Sequence, residues 1–225
     1  MRILTGPRLL AAALAILYAL FVFWYGGRGT PLTPSEVDAL LAEVQRNVGG
    51  ENRGDPGMLE ALRRVGEADD GREFYMLNLM RHREKAVYPD GHDYDDDVQA
   101  AEQRYASGIL PRLLKRASLI VFVGTPTGLF LQPEGADVWD QVGIVRYRSR
   151  RDFLEMVAEP GMSAVGVHKW AYLEKTQVFP VRPLVSLIWL RGAMAALLAL
   201  LGGALHLVLR RIPGYPAARS APRPA

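Results

Sequence analysis

The chain has 225 residues, with 27 basic and 24 acidic side chains, a formal net charge of +3 and no cysteine. The absence of cysteine excludes disulfides, thiol nucleophiles, iron–sulfur clusters and thiolate metal sites. All acidic residues lie between Glu36 and Glu174, whereas the two ends of the chain carry eight arginines. Without those eight, 19 basic residues stand against 24 acidic ones, a charge of −5, which argues against nucleic acid as a partner.

The first apolar segment, residues 9–25, predicts a transmembrane helix. It has 17 residues without a charge, which as a helix is about 25 Å long, the short end of a bilayer span. Residues 1–8 carry two arginines before it, and Trp24 and Tyr25 close it, which indicates a cytoplasmic N terminus. A cleaved secretory signal is the alternative, but the bulky residues before Gly26 offer no small-residue cleavage site and favour an uncleaved anchor.

A second transmembrane helix is predicted at residues 187–209, and a disordered basic tail at residues 210–225. The last 18 residues of this span are uncharged, and Arg210 and Arg211 follow directly, which indicates a cytoplasmic C terminus. The sequence therefore predicts a two-pass protein of the bacterial inner membrane, with the lipid bilayer as a partner. Both termini are expected in the cytoplasm and the central domain in the periplasm.

Small residues recur four apart on both predicted spans, a spacing that lets helix backbones approach closely. They are Ala11, Ala15 and Ala19 on the first span and Ala195, Ala199 and Gly203 on the second. The spacing fits two spans that pack together, a dimer seam, or chance in alanine-rich helices.

Residues 30–72 are predicted as a helical lead-in to the central domain. Thr33 and Glu36 fit a capping box with proline at the first helical position, which opens an amphipathic helix that ends near Asn47. A glycine-rich loop at residues 49–57 follows, and then a short helix from Met58 to about Val65.

Residues 73–182 are predicted as an α+β domain. The predicted strands are Phe74–Met80, Ser118–Val123 with an extension towards Leu131, Trp139–Tyr147 and Thr176–Val181; the predicted helices are Asp97–Ala117 and Arg150–Lys175, the latter broken near Pro160 and Gly161. The order β-α-β-β-α-β is that of the ferredoxin-like fold, an antiparallel sheet with two helices on one face.

Several segments of this domain together resemble a known family. They are Met76–Arg83, Leu110–Leu114, Trp139–Ser149, Phe153–Met162 and His168–Glu174. In order and spacing they are similar to the domain of unknown function family 1330 (DUF1330), a branch of the dimeric α/β-barrel superfamily. The resemblance implies a homodimer in which two sheets pair into a barrel, with a ligand pocket between sheet and helices.

Met76 and Asn78 are candidate ligand-binding residues on the first strand. Period-two alternation places Asn78 on the same face as Met76 and Met80. An amide among large apolar side chains is suited to orient a ligand in a largely apolar cavity. The alternative is a core asparagine that bonds to neighbouring backbone.

His168 is the candidate catalytic residue. It lies in the last predicted helix, at three- and four-residue spacing from Val165 and Tyr172, and therefore projects from a largely apolar face. Tyr172 is a further candidate ligand contact. Such a histidine suits an acid, a base or a haem ligand. A structural histidine with one local hydrogen bond is the alternative.

Two charged runs are predicted to be exposed to solvent. The run Asp90–Asp97 lacks the glycine and glutamate positions of a calcium loop, so it is predicted as a loop and helix start, and no metal site is expected. The basic run spans a strand end and a helix start, so its side chains are predicted to be solvated and paired with the domain's acids. It consists of Arg146, Arg148, Arg150 and Arg151.

Two functions of different classes fit these predictions. The first is a membrane-anchored domain that binds a small apolar or aromatic molecule, with the cofactor-free oxygenase or isomerase activity that fold analogy suggests. The second is a non-catalytic envelope module in which the spans and the barrel dimer serve assembly. Haem binding through His168 is a third option; no cofactor is otherwise expected. The chain has no glycine-rich phosphate loop, serine nucleophile motif or zinc signature.

Overall fold

The structure is a computed structural model that describes residues 6–26, 29–47, 56–131, 133–184 and 190–211. The chain forms two compact units. The first combines Met1–Gly26 with Val185–Ala225, and the second is Gly27–Leu184. The predicted glycine-rich loop up to residue 55 and the predicted tail beyond Arg211 lie outside the described residues.

Helices and strands follow one another through both units. In chain order the described elements are α1 (Gly6–Tyr25), α2 (Pro34–Asn47), α3 (Pro56–Glu67), β1 (Phe74–His82), α4 (Val98–Lys115), β2 (Leu119–Gly124), β3 (Gln141–Tyr147), α5 (Arg150–Val157), α6 (Met162–Tyr172), β4 (Leu173–Val181) and α7 (Leu190–Leu209). From β1 to β4 this is the predicted β-α-β-β-α-β order, with the second helix divided into α5 and α6.

The second unit is built on one four-stranded antiparallel sheet with the strand order β2-β3-β1-β4. β1 lies in the interior of the sheet, so Asn78 has neighbours on both sides, Gly143 of β3 and Val178 of β4. This sheet and its helices confirm the predicted α+β class.

Alternation along β1 separates the two faces of the sheet. Phe74 and Met76 pack with residues of α4, α5 and α6 in one buried cluster, because the apolar stripes of these helices face the same side of the sheet. The cluster also contains Ile109, Leu113, Tyr147, Met156 and Val165. Burial of each such side chain contributes roughly 1.5–3 kcal/mol, so this cluster is a main source of the unit's stability.

The other face of the sheet carries an apolar row that crosses all four strands. The pairing register aligns Phe122 of β2, Ile144 of β3, Leu77 of β1 and Phe179 of β4. Phe122 is 51% exposed, and the other three are partly buried. We call these four residues the sheet row.

The lead-in helices follow the predicted signals closely. Thr33 and Glu36 form the predicted capping box: the Thr33 amide donates to Glu36 Oε2 (2.8 Å), and the Glu36 amide donates to Thr33 Oγ1 (3.3 Å). α2 and α3 pack against α5 in a second buried cluster. It contains Leu32, Val37, Leu41, Val44, Leu62, Leu154 and Ala158.

Two element boundaries differ from the prediction. The last helix ends at Tyr172, three residues before the predicted Lys175, because Leu173 already pairs with His82 of β1. β2 ends at Gly124, so the predicted extension towards Leu131 was wrong. The predicted break between α5 and α6 is confirmed, since Gly161 adopts a left-handed φ of 79°.

The prediction that the basic run is solvated was wrong. Arg146 is fully buried: its guanidinium bonds to Glu73 Oε2 (2.6 Å) and to the carbonyl oxygen of Ala117 (2.7 Å). Arg150 is also buried. The expected pairing with acids is confirmed for all four arginines: Arg146 with Glu73, Arg148 with Asp152, Arg150 with Asp70 and Arg151 with Glu36. The Arg146 guanidinium is tolerated in the interior because its donors find Glu73 and Ala117 as partners, whereas the buried Nε of Arg150 has no hydrogen-bond partner among the described residues.

In the first unit, α1 and α7 pack against each other. A Cβ added to Gly202 would lie 2.6 Å from Leu14 Cδ1, whereas Gly203 faces open space. The close approach therefore uses Gly202, one position before the predicted Gly203. The Arg191 guanidinium lies 5.1 Å from the ring centroid of Tyr25, which gives this charge an aromatic partner.

One helix among the described residues, Leu190–Leu209, is long and apolar enough to cross a membrane. The helical stretch Leu9–Tyr25 is apolar but shorter. Large apolar side chains of both helices are exposed, such as Phe23 (78%) and Leu200 (73%). Length and composition thus agree with a membrane role for the second predicted span.

Candidate functional site

The segment between β1 and α4 is fastened to the C-terminal end of α6. The Arg83 amide donates to the carbonyl oxygen of Tyr172 (2.9 Å), and the Val87 amide donates to that of Ala171 (3.0 Å). The last carbonyl groups of a helix have no partner inside the helix, so they are free to bind this segment. The residue that follows, Tyr88, is thereby held beside α6.

A chain of polar contacts runs from α6 to this segment and on to α4. The Tyr88 hydroxyl lies 3.0 Å from Nδ1 of His168, and it accepts a contact from Nη1 of Arg104 at 3.4 Å. Nη1 and Nη2 of Arg104 donate to the two carboxylate oxygens of Asp95, at 3.2 and 3.1 Å. This bidentate pair fixes the guanidinium and so supports the position of Tyr88.

Aromatic rings surround these polar groups. The Tyr94 ring centroid lies 5.0 Å from that of His168 and 4.7 Å from that of Tyr88, and the His92 ring lies nearly parallel to Tyr94 at 6.0 Å. The Arg104 guanidinium lies 4.9 Å from the Tyr94 centroid, a cation–π geometry. Tyr94 is 44% exposed, so one part of this group is open to solvent.

We call this group the His168 cluster. It contains Tyr88, His92, Tyr94, Asp95, Arg104 and His168.

The electrostatics of the cluster favour a neutral imidazole. Burial lowers the pKa of His168, and the positive charge of Arg104 and the neighbouring His92 lower it further. The bonds to Arg104 hold the pKa of Asp95 below its ordinary value, so the carboxylate stays charged and keeps the guanidinium in place. In a neutral imidazole one ring nitrogen is an acceptor and the other a donor. Because Tyr88 contacts Nδ1, Nε2 is the acceptor nitrogen in the tautomer whose Nδ1–H donates to the Tyr88 hydroxyl.

The other predicted site residues lie elsewhere in the second unit. The Asn78 side-chain amide donates to the carbonyl oxygen of Met76 (3.1 Å). This bond to neighbouring backbone is the one expected if Asn78 is a core asparagine and not a ligand contact. Met76 lies in the buried cluster under α4 and α6, and Tyr172 lies in a separate buried cluster with Met80 and Leu173.

The structure does not bring Asn78 and His168 together. Among the described residues, neither a hydrogen bond nor a ring contact joins the two side chains. Two depressions of the described surface are lined by other residues, one by Asp38, Leu41 and Arg63 and one by Thr30, Gly71 and Ser149. Of the predicted site residues, His168 is the one that lies in a surface cluster of polar and aromatic side chains.

Sequence reasoning missed four members of the His168 cluster: Tyr88, His92, Tyr94 and Arg104. The metal interpretation of the run Asp90–Asp97 considers only its carboxylates, whereas the Tyr94 ring of this run contacts His168. A signal was present, since two tyrosines and a histidine within seven loop residues are an unusual density of rings. The carboxylates have local partners: Asp97 caps α4 and Asp96 bonds to Lys85 (2.6 Å).

Two solved structures resemble this chain, both at a TM-score of 0.51. One is the crystal structure of the methylated RPA0582 protein, with 26% sequence identity over 60% of this chain and 96% of that chain. The other is the RPA0582 protein of unknown function from Rhodopseudomonas palustris, a structural genomics target, with 25% identity over 61% of this chain and 99% of that chain. Each neighbour is covered almost completely, while about two-fifths of this chain has no counterpart there.

No family model matches the chain. No curated protein matches it either. The function of the chain is therefore inferred from its own side chains.

Proposed function

We propose that this protein is a membrane-anchored domain that binds a small aromatic or apolar molecule at the His168 cluster. The observation that carries the proposal is the contact of His168 Nδ1 with the Tyr88 hydroxyl (3.0 Å), beside the Tyr94 ring, which is 44% exposed. Burial and Arg104 lower the pKa of His168, which favours its neutral form. An exposed ring and a polar group of fixed orientation are the two components of a small-molecule site, one for contact area and one for orientation.

The chemistry of such a site is proton transfer. In the tautomer whose Nδ1–H donates to the Tyr88 hydroxyl, Nε2 of neutral His168 accepts a proton from an acidic C–H or O–H group of the ligand, and the lowered pKa of His168 keeps this neutral form present at neutral pH. The Arg104 guanidinium, 3.4 Å from the Tyr88 hydroxyl, favours negative charge that develops on the ligand. Cofactor-free oxygenases and isomerases begin with a step of this kind, so the activity class proposed is a cofactor-free oxygenase or isomerase.

The second unit is proposed to be a ferredoxin-like domain of the dimeric α/β-barrel type, related to DUF1330. Strand order and the position of the helices on one face support this assignment. The sheet row supports a second copy as the occupant of the other face, because apolar side chains cross all four strands there. Light scattering of the full-length chain in detergent tests this dimer. A dimer is expected for the wild type, and Ile144→Asp is expected to give monomers.

The topology proposed is two-pass in the bacterial inner membrane, with cytoplasmic termini and a periplasmic second unit. The arginine-rich ends and the apolar helices α1 and α7 support it. The chain has no cysteine, so a single introduced cysteine is a unique reporter. Ser107→Cys is expected to react with an impermeant maleimide in intact spheroplasts, whereas Ser220→Cys is expected to react only after lysis.

Ligand binding is tested on the four histidines of the chain, His82, His92, His168 and His206. The full-length protein with ¹³Cε1-labelled histidine is titrated with 2-naphthol, an aromatic probe with one acidic hydroxyl. The His168 and His92 resonances are expected to move together and the other two to remain fixed. No movement at His168, or equal movement of all four, rejects the site. Tyr94→Ala is expected to weaken the response and Tyr75→Phe to leave it unchanged.

The alternative function, a non-catalytic envelope module, is favoured by a different observation. The segment Leu129–Leu131 between β2 and β3 is exposed, with Phe130 at 96%, and an apolar surface of this kind suits contact with another macromolecule. The variant His168→Gln distinguishes the two functions. If the His92 resonance no longer responds to 2-naphthol while the dimer is unchanged, the binding function is supported. If the response of His92 is unchanged, the module is supported.

A further inference from the structure

The chain contains four lysines, and one of them differs from the rest in its surroundings. The ammonium groups of Lys85, Lys115 and Lys175 each contact a carboxylate, at 2.6, 2.8 and 2.7 Å. Lys169 makes no ion pair with any residue that the structure describes. Its Nζ atom lies instead near two aromatic rings, 5.8 Å from the Tyr105 centroid and 5.7 Å from the Trp170 centroid.

Lys169 lies at the seam between α6 and α4. Val165, one turn earlier on α6, packs over Gly108 of α4, and Tyr105 of α4 contacts both buried clusters of the sheet. The Lys169 side chain is therefore half-buried in apolar surroundings, while Trp170 is 56% exposed at the edge of the seam. The site has a buried wall and an open side.

The titratable groups around this seam are Tyr105 and Glu102 of α4 and Tyr172 of α6. Burial raises the pKa of Tyr105 to about 12, and burial and these two neighbours also raise the pKa of Tyr172, so both phenols are neutral. The Glu102 carboxylate accepts a bond from the Gln141 side-chain amide (3.3 Å). Burial lowers the pKa of Lys169 to about 8, so at pH 7 the fraction of free amine is on the order of a hundredfold above that of an ordinary lysine.

We propose that Lys169 is a nucleophilic amine that forms an imine with an aromatic aldehyde or ketone. A lysine without a counter-ion in apolar surroundings is the usual arrangement of Schiff-base lysines. Tyr105 and Trp170 supply faces for the aromatic part of the carbonyl compound. This site is separate from the His168 cluster, because His168 and Lys169 project from different faces of α6 and have different neighbours.

The reaction balances without a cofactor. The Nζ lone pair forms a bond to the carbonyl carbon, the C=O π pair moves to oxygen, and a proton moves from nitrogen to oxygen to give the carbinolamine. The carbinolamine then loses its hydroxyl group and the remaining nitrogen proton as water, and the C=N bond forms. One amine and one carbonyl compound thus give one imine and one water.

Reductive trapping tests the proposal on the full-length protein in detergent. The protein is incubated with benzaldehyde and sodium cyanoborohydride at pH 7, and N-benzylation of each lysine is followed by peptide mass mapping. Lys169 is expected to be modified at least about tenfold faster than Lys85, Lys115 and Lys175, since it has the larger free-amine fraction. Equal rates at all four lysines, or the slowest rate at Lys169, overturn the proposal.

The pH profile and two variants give independent readouts. The Lys169 rate is expected to level off above about pH 8, whereas the rates of the ion-paired lysines continue to rise. Trp170→Ala is expected to slow benzylation of Lys169 severalfold. An unchanged rate contradicts the claim that the Trp170 ring contacts the aromatic part of the carbonyl compound. His168→Gln is expected to leave the Lys169 rate unchanged, so a failure of the His168 site and a failure of the Lys169 site are distinguished.

Discussion

The Tyr88 hydroxyl lies 3.0 Å from Nδ1 of His168, although 80 residues separate the two in sequence. The contact exists because the segment after β1 bonds to the final carbonyl groups of α6. The contact occupies Nδ1, so in the tautomer whose Nδ1–H donates to Tyr88, Nε2 is the proton acceptor of the proposed site.

The ionisation of His168 is predicted to respond to Arg104. Its pKa is expected below the ordinary value of 6.5, and Arg104→Gln is expected to raise it part of the way, because burial is the larger cause and remains. An NMR titration of the four histidines measures both values. Arg81→Gln, which removes a guanidinium paired with Glu174, is the control. A His168 pKa above 6.5, or a decrease in Arg104→Gln, contradicts the electrostatic argument.

The same shift predicts how stability depends on pH. Because the folded state holds the His168 proton less tightly than the unfolded state, stability decreases as pH falls below about 6.5. His168→Gln is expected to reduce that decrease, which urea unfolding at pH 7 and pH 5 measures. An equal loss of stability in the variant excludes His168 as a contributor.

The buried Arg146 is predicted to be essential for stability. Arg146→Ala removes a fully buried guanidinium that bonds to Glu73 and to the carbonyl group of Ala117, so we expect a loss of roughly 3 kcal/mol or more. Arg63→Ala is the matched control, because the Arg63–Asp38 pair is exposed and its removal is expected to cost less than about 1 kcal/mol. Denaturant unfolding of both variants gives the comparison, and similar losses contradict the special position of Arg146.

Glu36 is predicted to stabilise the lead-in helix above pH 4.5. Its bonds to Arg151, at 2.7 and 3.1 Å, and to Thr33 lower its pKa to about 2. The stabilisation is present above the unfolded pKa and disappears as pH falls through about 2. Glu36→Gln is expected to lower the thermal midpoint at pH 6, with a gap that narrows towards pH 2; Asp38→Asn, on the same helix, is expected to change it less. If the difference in thermal midpoint between the wild type and Glu36→Gln does not change with pH, the charge of Glu36 is not the cause of the stabilisation.

Lys169→Met is predicted to stabilise the protein at pH 7. A pKa of about 8 means that folding disfavours the ammonium form, at a cost of roughly 3 kcal/mol relative to an ordinary lysine. The cost is complete below pH 8 and is relieved as pH rises from 8 towards 10.5, so the advantage of the variant should disappear there. Unfolding measured at pH 7 and pH 10 tests the direction, and a destabilised variant at pH 7 refutes it.

Local signals made part of this structure predictable. The Thr33–Glu36 capping box and the apolar run of β1 are specified by residues close together in sequence, and both occur as predicted. The burial of Arg146 was not predicted, because a charged side chain in a strand ordinarily indicates a position that is exposed to solvent. Its burial depends on Glu73, which reaches it only through the pairing of β1 with β3.

The candidate site was predictable only in part. The helical spacing of His168 indicated a histidine on a largely apolar face, whereas the structure gives it a half-buried position beside the Tyr88 hydroxyl and the Tyr94 ring. Its partners Tyr88 and Tyr94 come from a loop that has no periodicity to reveal its direction. Asn78 shares a strand face with Met76 as alternation predicted, but alternation contains no information about its distance from His168.

Native mass spectrometry of the full-length protein, purified in detergent from its own host, tests ligand binding at the His168 cluster most directly. Wild type is expected to retain one small aromatic or apolar molecule per chain, and Tyr94→Ala is expected to lose it while it keeps the oligomeric state of the wild type. Wild type that is empty, or a Tyr94→Ala variant with the same occupancy as wild type, contradicts the proposed site.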